Sequence, residues 1–297
     1  MDPRRRALLA ALAAGVTVKP AFAAMPALSK HIPSTAETLP VIGLGTWQAF
    51  DVRGDTSRLR EVMEVFSSMG GRVVDSSPMY GAAESVVGEL ATDLDLEDRL
   101  FFATKVWTSG RTEGIRQMEN SFKRMRVQRM DLLQVHNLVD IETHTETLLE
   151  MKLAKKTRYI GITHYSASAH EEVARWLRSG KYDFLQINYS LAERDAEQKL
   201  LPLAIEKNVA VLANRPFGEG GLFRKVRGKA LPPWAAELGI QSWAQYFLKW
   251  IVSHPAITCA IPGTGNPAHM KDNLGAGRGS LPDVAARRRM AAYFDAL

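Results

Sequence analysis

Eight short apolar runs recur along the chain, and their spacing constrains the fold more than any other feature. From the second run to the seventh, the starts lie about 25 to 30 residues apart, which is the length of one strand followed by one helix. The runs are VIGLG (41–45), RVVDS (72–76), FFATKV (101–106), DLLQVH (131–136), RYIGITH (158–164), FLQINY (184–189), VAVLAN (209–214) and TCAIPG (258–263). Runs that are apolar on both faces are typical of parallel strands covered by helices.

The segments between the runs have apolar residues at helical spacing, as in RLREVMEVFSSMG and HEEVARWLRSG. Eight strand-and-helix units predict the α/β class and a (β/α)8 TIM barrel that forms a single domain over residues 24–297. An open doubly wound sheet is the alternative architecture. It is disfavoured because GLGTWQ, at the first run, lacks the GxGxxG turn of dinucleotide-binding sheets of that type.

The gap between Asn214 and Thr258 is longer than the other spacings and predicts an inserted loop or an extra helix. Its stretch GEGGLFRKVRGKALPP (218–233) is rich in glycine and basic residues. We expect this stretch to act as a mobile flap.

The first 23 residues predict a bacterial export signal that is separate from the barrel. They combine an arginine cluster at 4–6, an apolar run over 7–18 and a small-x-small cleavage site at 21–23. The arginines favour the twin-arginine machinery as a partner and the periplasm as the destination. A disordered basic N-terminus on a cytoplasmic protein is the alternative. A stable membrane span is disfavoured, since a bilayer needs about 20 apolar residues.

The net charge and the cysteine content limit which partners and which redox chemistry the sequence predicts. Removing residues 1–23 takes away four basic residues and one acidic residue, so the formal net charge falls from +6 to +3. A charge that small, without a basic stripe interleaved with aromatics, does not favour nucleic-acid binding. The single cysteine, Cys259, excludes an internal disulfide and is interpreted as a small buried apolar residue.

Polar side chains stand at the carboxyl ends of consecutive runs, where barrels of this kind carry their chemistry. Asp75, Lys105 and His136 end three neighbouring runs, and Tyr80 lies on the loop after Asp75. Singly, each has a structural alternative: a helix cap for Asp75, a solvated strand end for Lys105 and a satisfied core histidine for His136. Together they favour one site, because all of them reach the same end of the barrel.

These residues resemble the aldo-keto reductase family over nearly the whole chain after the signal. The resemblance rests on IPSTAETLPVIGLGTW, the D-x-x-x-x-Y-G pattern of residues 75–81, the TK of ATKVW, the HN of LLQVHN, RYIGITHY, and IPGT followed by MKDN. It implies NAD(P)H-dependent reduction of aldehydes and ketones to alcohols. It also implies a catalytic tetrad of Asp75, Tyr80, Lys105 and His136.

Within that tetrad, the resemblance makes Tyr80 the proton donor to the alkoxide that hydride addition creates. An ordinary phenol, with a pKa near 10, is poorly matched to neutral pH. An ammonium within about 4–6 Å favours the phenolate, so we expect Lys105 to lower the pKa of Tyr80 by a unit or more. Asp75 would keep Lys105 protonated, and His136 would donate a hydrogen bond to the carbonyl.

The expected cofactor is NADPH, with NADH as the alternative. The implied contacts are Gly45, Thr46, Trp47, Thr163, His164, Gln186, Asn214, Arg215, Pro216, Gly263, Thr264, Asn266, His269, Asp272 and Asn273. Thr163, His164 and Gln186 are expected to hold the nicotinamide amide. Asp272 and Asn273 fit the pattern that contacts adenine.

Two departures from the family pattern concern the nicotinamide. Thr163 and His164 stand where the family more often has Ser-Asn, and either pair can hydrogen-bond an amide. Asn214 stands where many relatives stack an aromatic ring on the nicotinamide, so that stacking is lost. Arg215 follows it and is expected to reach the cofactor pyrophosphate or the substrate, with a surface salt bridge as the alternative.

A third departure concerns the adenosine end. Gly263 and His269 occupy the positions of a lysine and an arginine that bind the 2′-phosphate in many members. The preference for NADPH over NADH is therefore expected to be weak, unless Arg215 or Lys271 supplies the missing cation.

The substrate wall is predicted in type only. Trp47, Met79, Trp107 and Asn137 lie beside the tetrad in sequence and predict an aromatic, mostly apolar pocket, with packing at the barrel mouth as the alternative. Two other functions stay open. One is a nucleotide-binding regulatory subunit with little turnover, since relatives of this fold include potassium-channel β subunits. The other is a metal-dependent hydrolase, which is disfavoured because neither HExxH nor H-x-H spacing occurs.

Overall fold

A computed structural model describes residues 25–297, and in it the eight expected strands form one parallel sheet whose order follows the sequence. Parallel bridges between Ile42 and Ala260 and between Gly45 and Gly263 join the first strand to the last. The sheet is therefore closed into a barrel. The prediction of a (β/α)8 barrel is confirmed, and the doubly wound alternative is wrong.

A short antiparallel hairpin precedes the barrel, and each barrel strand overlaps one of the eight apolar runs. The hairpin consists of β1 (Ser29–His31) and β2 (Thr38–Pro40). The barrel strands are β3 (Leu44–Gly45), β4 (Val73–Asp75), β5 (Phe101–Val106), β6 (Met130–His136), β7 (Thr157–His164), β8 (Phe184–Asn188), β9 (Ala210–Asn214) and β10 (Ile257–Ala260).

Helices follow the barrel strands and cover the outside of the sheet. They are α1 (Ser57–Ser68), α2 (Ala83–Asp93), α3 (Arg111–Met125), α4 (Ile141–Leu153), α5 (His170–Leu177), α6 (Leu200–Glu206), α7 (Gly221–Lys225), α8 (Trp243–Val252), α9 (Pro267–Gly275) and α10 (Val284–Asp295). Helix α1 shows why these segments are helical. It buries Leu59, Val62, Met63 and Phe66, which share one face at the spacing of an α-helix.

The long gap before β10 holds an extra helix, as the spacing predicts. Helix α7 and a short 3₁₀ helix, Pro233–Leu238, lie between β9 and α8. They occupy part of the glycine-rich basic stretch that we expect to act as a flap, and they extend just beyond it. The mobility of this stretch stays a prediction.

The barrel interior is a packed core, and the hairpin closes its amino-terminal end. The strands and the residues next to them contribute Val73, Phe101, Ala103, Leu132, Tyr159, Phe184, Ala210, Leu212, Cys259 and Ile261 to one buried cluster. Ile32 and Leu39 of the hairpin segment belong to the same cluster. The Lys30 ammonium holds the hairpin in place by donating to the carbonyl oxygens of Val252, His254 and Ile257, at 2.7–2.8 Å.

Cys259 is fully buried inside the barrel, as its interpretation as a small apolar residue predicts. Burial raises the pKa of the thiol far above its ordinary value. The thiol is therefore held in its neutral, unreactive form.

The export signal expected over residues 1–23 lies outside the described residues. Between residues 25 and 297, no helix combines the length and the apolar character needed to cross a membrane.

We expect Ile32→Ala to lower the free energy of unfolding by about 2–5 kcal/mol, because the side chain is fully buried beneath the barrel and its loss leaves a cavity. Ile205→Ala is the matched control, since Ile205 is 53% exposed and its truncation should change stability by no more than about 0.5 kcal/mol. Urea unfolding followed by circular dichroism measures both. Equal midpoints for the two variants would contradict the role of the hairpin as a plug.

Candidate active site

The carboxyl end of the barrel brings polar side chains from consecutive strands to one level. Lys105 of β5 lies beside Gln134 of β6, and Thr163 of β7 lies beside Gln186 of β8. Asp75 ends β4, the strand next to β5. Because these residues are paired in the register of neighbouring parallel strands, side chains far apart in sequence meet at the barrel mouth.

Asp75 and Lys105 form a buried ion pair. The Lys105 Nζ lies 2.6 Å from Asp75 Oδ2 and also donates to the Ser76 carbonyl oxygen at 2.7 Å. Asp75 is 2% exposed and Lys105 is fully buried. Burial by itself lowers the pKa of Lys105, but burial is opposed chiefly by the negative charge of Asp75, and the net pKa is raised. Lys105 is therefore a charged ammonium at neutral pH.

Tyr80 lies beside this pair, on the turn that follows β4. The Lys105 Nζ is 5.1 Å from the centroid of the phenol ring. Burial raises the pKa of Tyr80, the charge of Lys105 lowers it, and the charge of Asp75 raises it; the net change is upward. Lys105 acts in the expected direction, but the expectation that the pKa of Tyr80 falls below its ordinary value is wrong, because removal from water outweighs the nearby ammonium. At neutral pH the phenol keeps its proton.

His136 ends β6, two residues beyond Gln134, and it is neutral. Burial is the main cause that lowers its pKa to about 3, and the charges of Lys105 and His164 contribute less. Its ring meets the Tyr80 ring edge-on, at 6.2 Å between centroids. The Ser77 hydroxyl lies 3.3 Å from Nδ1. A neutral imidazole that accepts this hydroxyl at Nδ1 carries its own proton on Nε2 and can donate it to a substrate oxygen.

Two buried amides complete the surroundings of Asp75. Gln134 Nε2 and Gln186 Nε2 donate to Asp75 Oδ1, at 3.2 and 2.8 Å. Gln186 also accepts at Oε1 from the Thr163 hydroxyl, at 3.1 Å. Two residues expected to hold the nicotinamide amide are thus bonded to each other, and one of them is bonded to the acid.

The sequence analysis does not identify Gln134 or Ser77 as site residues. The position of each in the sequence nevertheless points to the site. Gln134 stands two residues before His136, so its side chain leaves the strand on the same face. Ser77 lies inside the short stretch that carries Asp75 and Tyr80.

At the end of β3, Thr46 faces the neighbouring strand. It is fully buried, and its hydroxyl lies 3.0 Å from the Asp75 carbonyl oxygen and 2.9 Å from Ser76 Oγ. Gly45 lies against the end of β10, where a Cβ atom would come within 2.7 Å of the Ile261 carbonyl oxygen. Trp47, next to Thr46 in the chain, is 45% exposed.

His164 and Tyr165 form a stack on the rim above β7. Their rings are 5.4 Å apart and nearly parallel, and the Arg215 guanidinium lies 5.7 Å from the Tyr165 ring. Burial, then the charge of His170, lowers the pKa of His164. Its Nδ1 accepts from the Ser166 backbone N–H at 3.1 Å, which leaves Nε2 as the donor.

Asn214 and Arg215, at the end of β9, each carry a polar atom with no partner among residues 25–297. Asn214 donates to the His164 carbonyl oxygen at 3.3 Å, whereas its Oδ1 is buried and unpaired, as is Arg215 Nε. The Arg215 guanidinium faces Glu193 and Glu219, at 3.7 and 3.5 Å. Arg215 thus forms the salt bridges that the sequence analysis gives as the alternative to a cofactor contact. Pro216, next in the chain, is buried.

The loop after β10 leads into α9. Gly263 and His269 are exposed. The Thr264 hydroxyl accepts from the Asn266 N–H, and Asn266 Oδ1 accepts from the Ala268 N–H, at 3.1 and 3.0 Å. Asn266 therefore serves as the N-cap of α9.

Asp272 is held by the adjacent helix. Its two carboxylate oxygens accept from the Ser242 hydroxyl at 2.6 Å and from the Gln245 amide at 2.7 Å. Ser242 is the N-cap of α8, so this contact ties α8 to α9. Asn273, its neighbour, is 2% exposed.

Three large apolar side chains that lie beside tetrad or strand-end residues in the chain are exposed, and we call them the apolar wall; the ring of one of them, Trp107, lies 6.5 Å from the His136 ring. Trp47, Met79 and Trp107 are each between 41% and 45% exposed, which is unusual for side chains of this size. Gln117 fixes Trp107 by bonding its backbone N–H and carbonyl, at 2.6 and 3.1 Å. Asn137 adds one polar group to the wall, since its Oδ1 is buried without a partner in the described part of the chain.

A cavity of about 710 Å³ lies outside the tetrad. It is bounded by the segments that follow β8 and β9 and by the end of α10. Glu193, Arg215, Leu222 and Phe294 line it, and no tetrad residue does. Arg215 is the one expected cofactor contact that lines this cavity.

Comparisons with known proteins identify the relatives of this chain. The chain is 28% identical to the methylglyoxal reductase YeaE of Escherichia coli over 247 residues, which cover 80% of this chain and 84% of that protein. It is 29% identical to the aldo-keto reductase YhdN of Bacillus subtilis over 189 residues, covering 58% of this chain and 56% of that protein.

The fold is similar to the crystal structure of an aldo-keto reductase from Klebsiella pneumoniae in complex with NADPH. The TM-score is 0.78 at 24% identity, over 91% of this chain and 96% of that chain. The model of the aldo/keto reductase family matches residues 41–288, which include Asp75, Tyr80, Lys105 and His136. The chain therefore belongs to the aldo/keto reductase family and is an oxidoreductase of that family.

Proposed function

We propose that this protein reduces aldehydes and ketones to alcohols with NADPH. One observation carries the proposal. A buried Lys105–Asp75 pair, 2.6 Å apart, lies beside a protonated Tyr80 and a neutral His136 at the mouth of the barrel. This arrangement holds a proton donor and a hydrogen-bond donor where a carbonyl oxygen can approach both.

The strand ends have groups that fit a nicotinamide nucleotide. Asn214 Oδ1 and Arg215 Nε have no partner within residues 25–297; the first can accept from a carboxamide NH₂, and the second can donate to a phosphate oxygen. Thr163 and Gln186, which bond each other, keep further acceptor lone pairs for the carboxamide. Arg215 would exchange its long contacts with Glu193 and Glu219 for the pyrophosphate.

When bound, the nicotinamide supplies a hydride to the carbonyl carbon of the substrate. Tyr80 transfers its phenolic proton to the carbonyl oxygen as the new C–H bond forms. The phenolate that remains is stabilised by the ammonium of Lys105, which is held in place by Asp75. His136 donates from Nε2 to the same oxygen and thereby orients the carbonyl.

Burial of Tyr80 assigns a specific task to Lys105. A raised pKa keeps the phenol protonated before the reaction, and the ammonium limits the cost of the phenolate afterwards. Lys105 therefore acts chiefly on the charge that develops during the reaction.

The wall of Trp47, Met79 and Trp107 fits small or flat carbonyl compounds with apolar substituents. One related protein is named a methylglyoxal reductase. We propose small aldehydes and ketoaldehydes as the substrate class, with methylglyoxal as the first compound to test.

We expect Tyr80→Phe to lower kcat for aldehyde reduction by about two orders of magnitude or more, because it removes the proton donor and keeps the ring. The Kd for NADPH should change little, since the ring still fills its place. Loss of absorbance at 340 nm with methylglyoxal measures turnover, and tryptophan fluorescence measures NADPH binding.

Tyr182→Phe is the matched control for this change. Tyr182 lies on the outside of the barrel sheet, where its hydroxyl bonds the Thr145 hydroxyl at 2.7 Å. This variant should lose some stability and keep its kcat. Full turnover in Tyr80→Phe would contradict the assignment of the proton donor. Tight NADPH binding without turnover in the wild type would instead favour the regulatory-subunit alternative.

We expect the KM values for NADPH and NADH to lie within about tenfold of each other. Gly263 and His269 supply no permanent cation for a 2′-phosphate, and each charge-assisted contact of that kind is worth about tenfold or more. Initial rates with each nucleotide measure the ratio. A preference for NADPH above about a hundredfold would contradict this expectation. If that preference disappears in Lys271→Met but not in Arg215→Met, Lys271 is the cation that binds the 2′-phosphate.

We propose, from residues 1–23 alone, that the protein is exported folded by the twin-arginine route and acts in the periplasm, with residues 24–297 as the mature barrel. Retention in the cytoplasm is the alternative if the signal is not cleaved.

Changing Arg4, Arg5 and Arg6 together to lysine should abolish recovery in the periplasmic fraction, because adjacent arginines would otherwise substitute for one another as the pair. Lys19→Gln, which leaves the arginines intact, is the control and should still be exported. Periplasmic recovery of the triple variant at the wild-type level would contradict this route.

A further inference from the structure

Gln134 is a fully buried amide in the middle of β6, and it lies next to the ion pair of the active site. Its Nε2 lies 3.2 Å from Asp75 Oδ1, and its Oε1 lies 3.4 Å from Gln186 Nε2. Along the sheet, its direct neighbour on β5 is Lys105. Gln134 thus touches the acid and the amide of Gln186, and it stands beside the lysine.

The orientation of both amides is determined by the acid. An ionised carboxylate only accepts hydrogen bonds, so each glutamine must turn its NH₂ group toward Asp75. The Thr163 hydroxyl, which donates to Gln186 Oε1, supports this orientation. A flip of either amide would place a carbonyl oxygen against the carboxylate, which is repulsive in a buried site.

The two amides fix the orientation of the Asp75 carboxylate. Oδ1 accepts from both glutamines, and Oδ2 accepts from Lys105 at 2.6 Å. Gln134 and Gln186 therefore prevent the carboxylate from turning away from the ammonium. Side chains of five consecutive strands, β4 to β8, form one connected chain of hydrogen bonds.

We propose that Gln134 is a positioning residue for the reaction: it orients the Asp75 carboxylate toward Lys105 and couples this pair to Gln186. The inference rests on the proposed reduction of carbonyls, in which Lys105 stabilises the Tyr80 phenolate. Gln134 lies one layer below His136 on its strand, so it acts through Asp75 and Gln186 and touches no reacting atom.

Two substitutions test this role in the full-length protein. Gln134→Leu removes both hydrogen bonds at similar volume and should lower kcat for methylglyoxal about 10-fold to 100-fold, the equivalent of losing one hydrogen bond to a charged group. The KM for NADPH should change less than kcat.

Gln134→Glu adds a pH-dependent readout. When protonated, the introduced carboxyl group can donate to Asp75 as glutamine does; when ionised, it repels Asp75. A second carboxyl beside Asp75 titrates above its ordinary pKa of about 4.3. The variant should therefore keep most of its activity at low pH and lose it as pH rises, in a range where the wild-type rate is constant.

A third measurement needs no cofactor. In Gln134→Glu, the folded protein holds a proton on the carboxyl pair that the unfolded chain releases near a pH of about 4.3. The variant should therefore lose stability relative to the wild type as pH rises from about 4.3 through the higher folded pKa. Thermal unfolding of the cofactor-free protein between about pH 5 and 8 measures this difference.

Thr104→Val is the matched control. Thr104 precedes Lys105 on β5 but faces the helices, where its hydroxyl donates to Glu84 at 2.6 Å. This variant also breaks a buried hydrogen bond to a carboxylate. It should lower stability while leaving kcat and the pH profile unchanged.

The outcomes separate the two proposals. A wild-type kcat in Gln134→Leu, or a Gln134→Glu variant whose activity and melting temperature follow the wild type with pH, overturns the role of Gln134. If the wild type reduces no carbonyl compound, the proposed function fails, and with it the positioning role; a growing stability loss of Gln134→Glu with pH would then still support the contact with Asp75. Loss of activity in both Gln134 variants, with the shifted pH profile, supports the inference.

Discussion

The ion pair of Asp75 and Lys105 is the interaction on which the site depends. Two charges removed from water cost several kcal/mol each, and their attraction offsets this cost only when the remaining polar atoms are also bonded. The barrel meets that requirement with Gln134 and Gln186 on the acid and the Ser76 carbonyl oxygen on the lysine. Gln186 lies on β8 and Asp75 on β4, so this hydrogen bond spans the interior of the barrel and depends on the curvature of the sheet.

Burial decides the protonation states around this pair. The pKa of Tyr80 is raised even though an ammonium lies beside its ring, and the pKa of His136 falls to about 3. Both groups are thereby neutral at physiological pH, and both can donate a hydrogen. The lysine supplies a fixed positive charge that gains importance only when negative charge appears on Tyr80 or on the substrate.

The two ends of the barrel have different tasks. At the amino-terminal end, apolar side chains and the β1–β2 hairpin make a dry plug that includes Cys259. At the carboxyl end, Trp47, Met79 and Trp107 are exposed, and Asn137 and Asn214 each have a buried oxygen without a partner in the part of the chain that the structure describes. Stability and recognition are thus separated along the barrel axis, which allows the loops of the mouth to change without loss of the core.

The sequence by itself determined the barrel and the residues of its mouth, because strand spacing and strand-end polarity are local patterns. All eight expected strands form, and Asp75, Lys105 and His136 at strand ends come together with Tyr80 on the following loop, as their positions in the sequence predict. Only the tertiary structure decided the sign of the pKa change of Tyr80 and the engagement of Gln134, Gln186 and Asp272 with other side chains. These depend on depth of burial and on contacts across strands and helices, which no single segment of the chain contains.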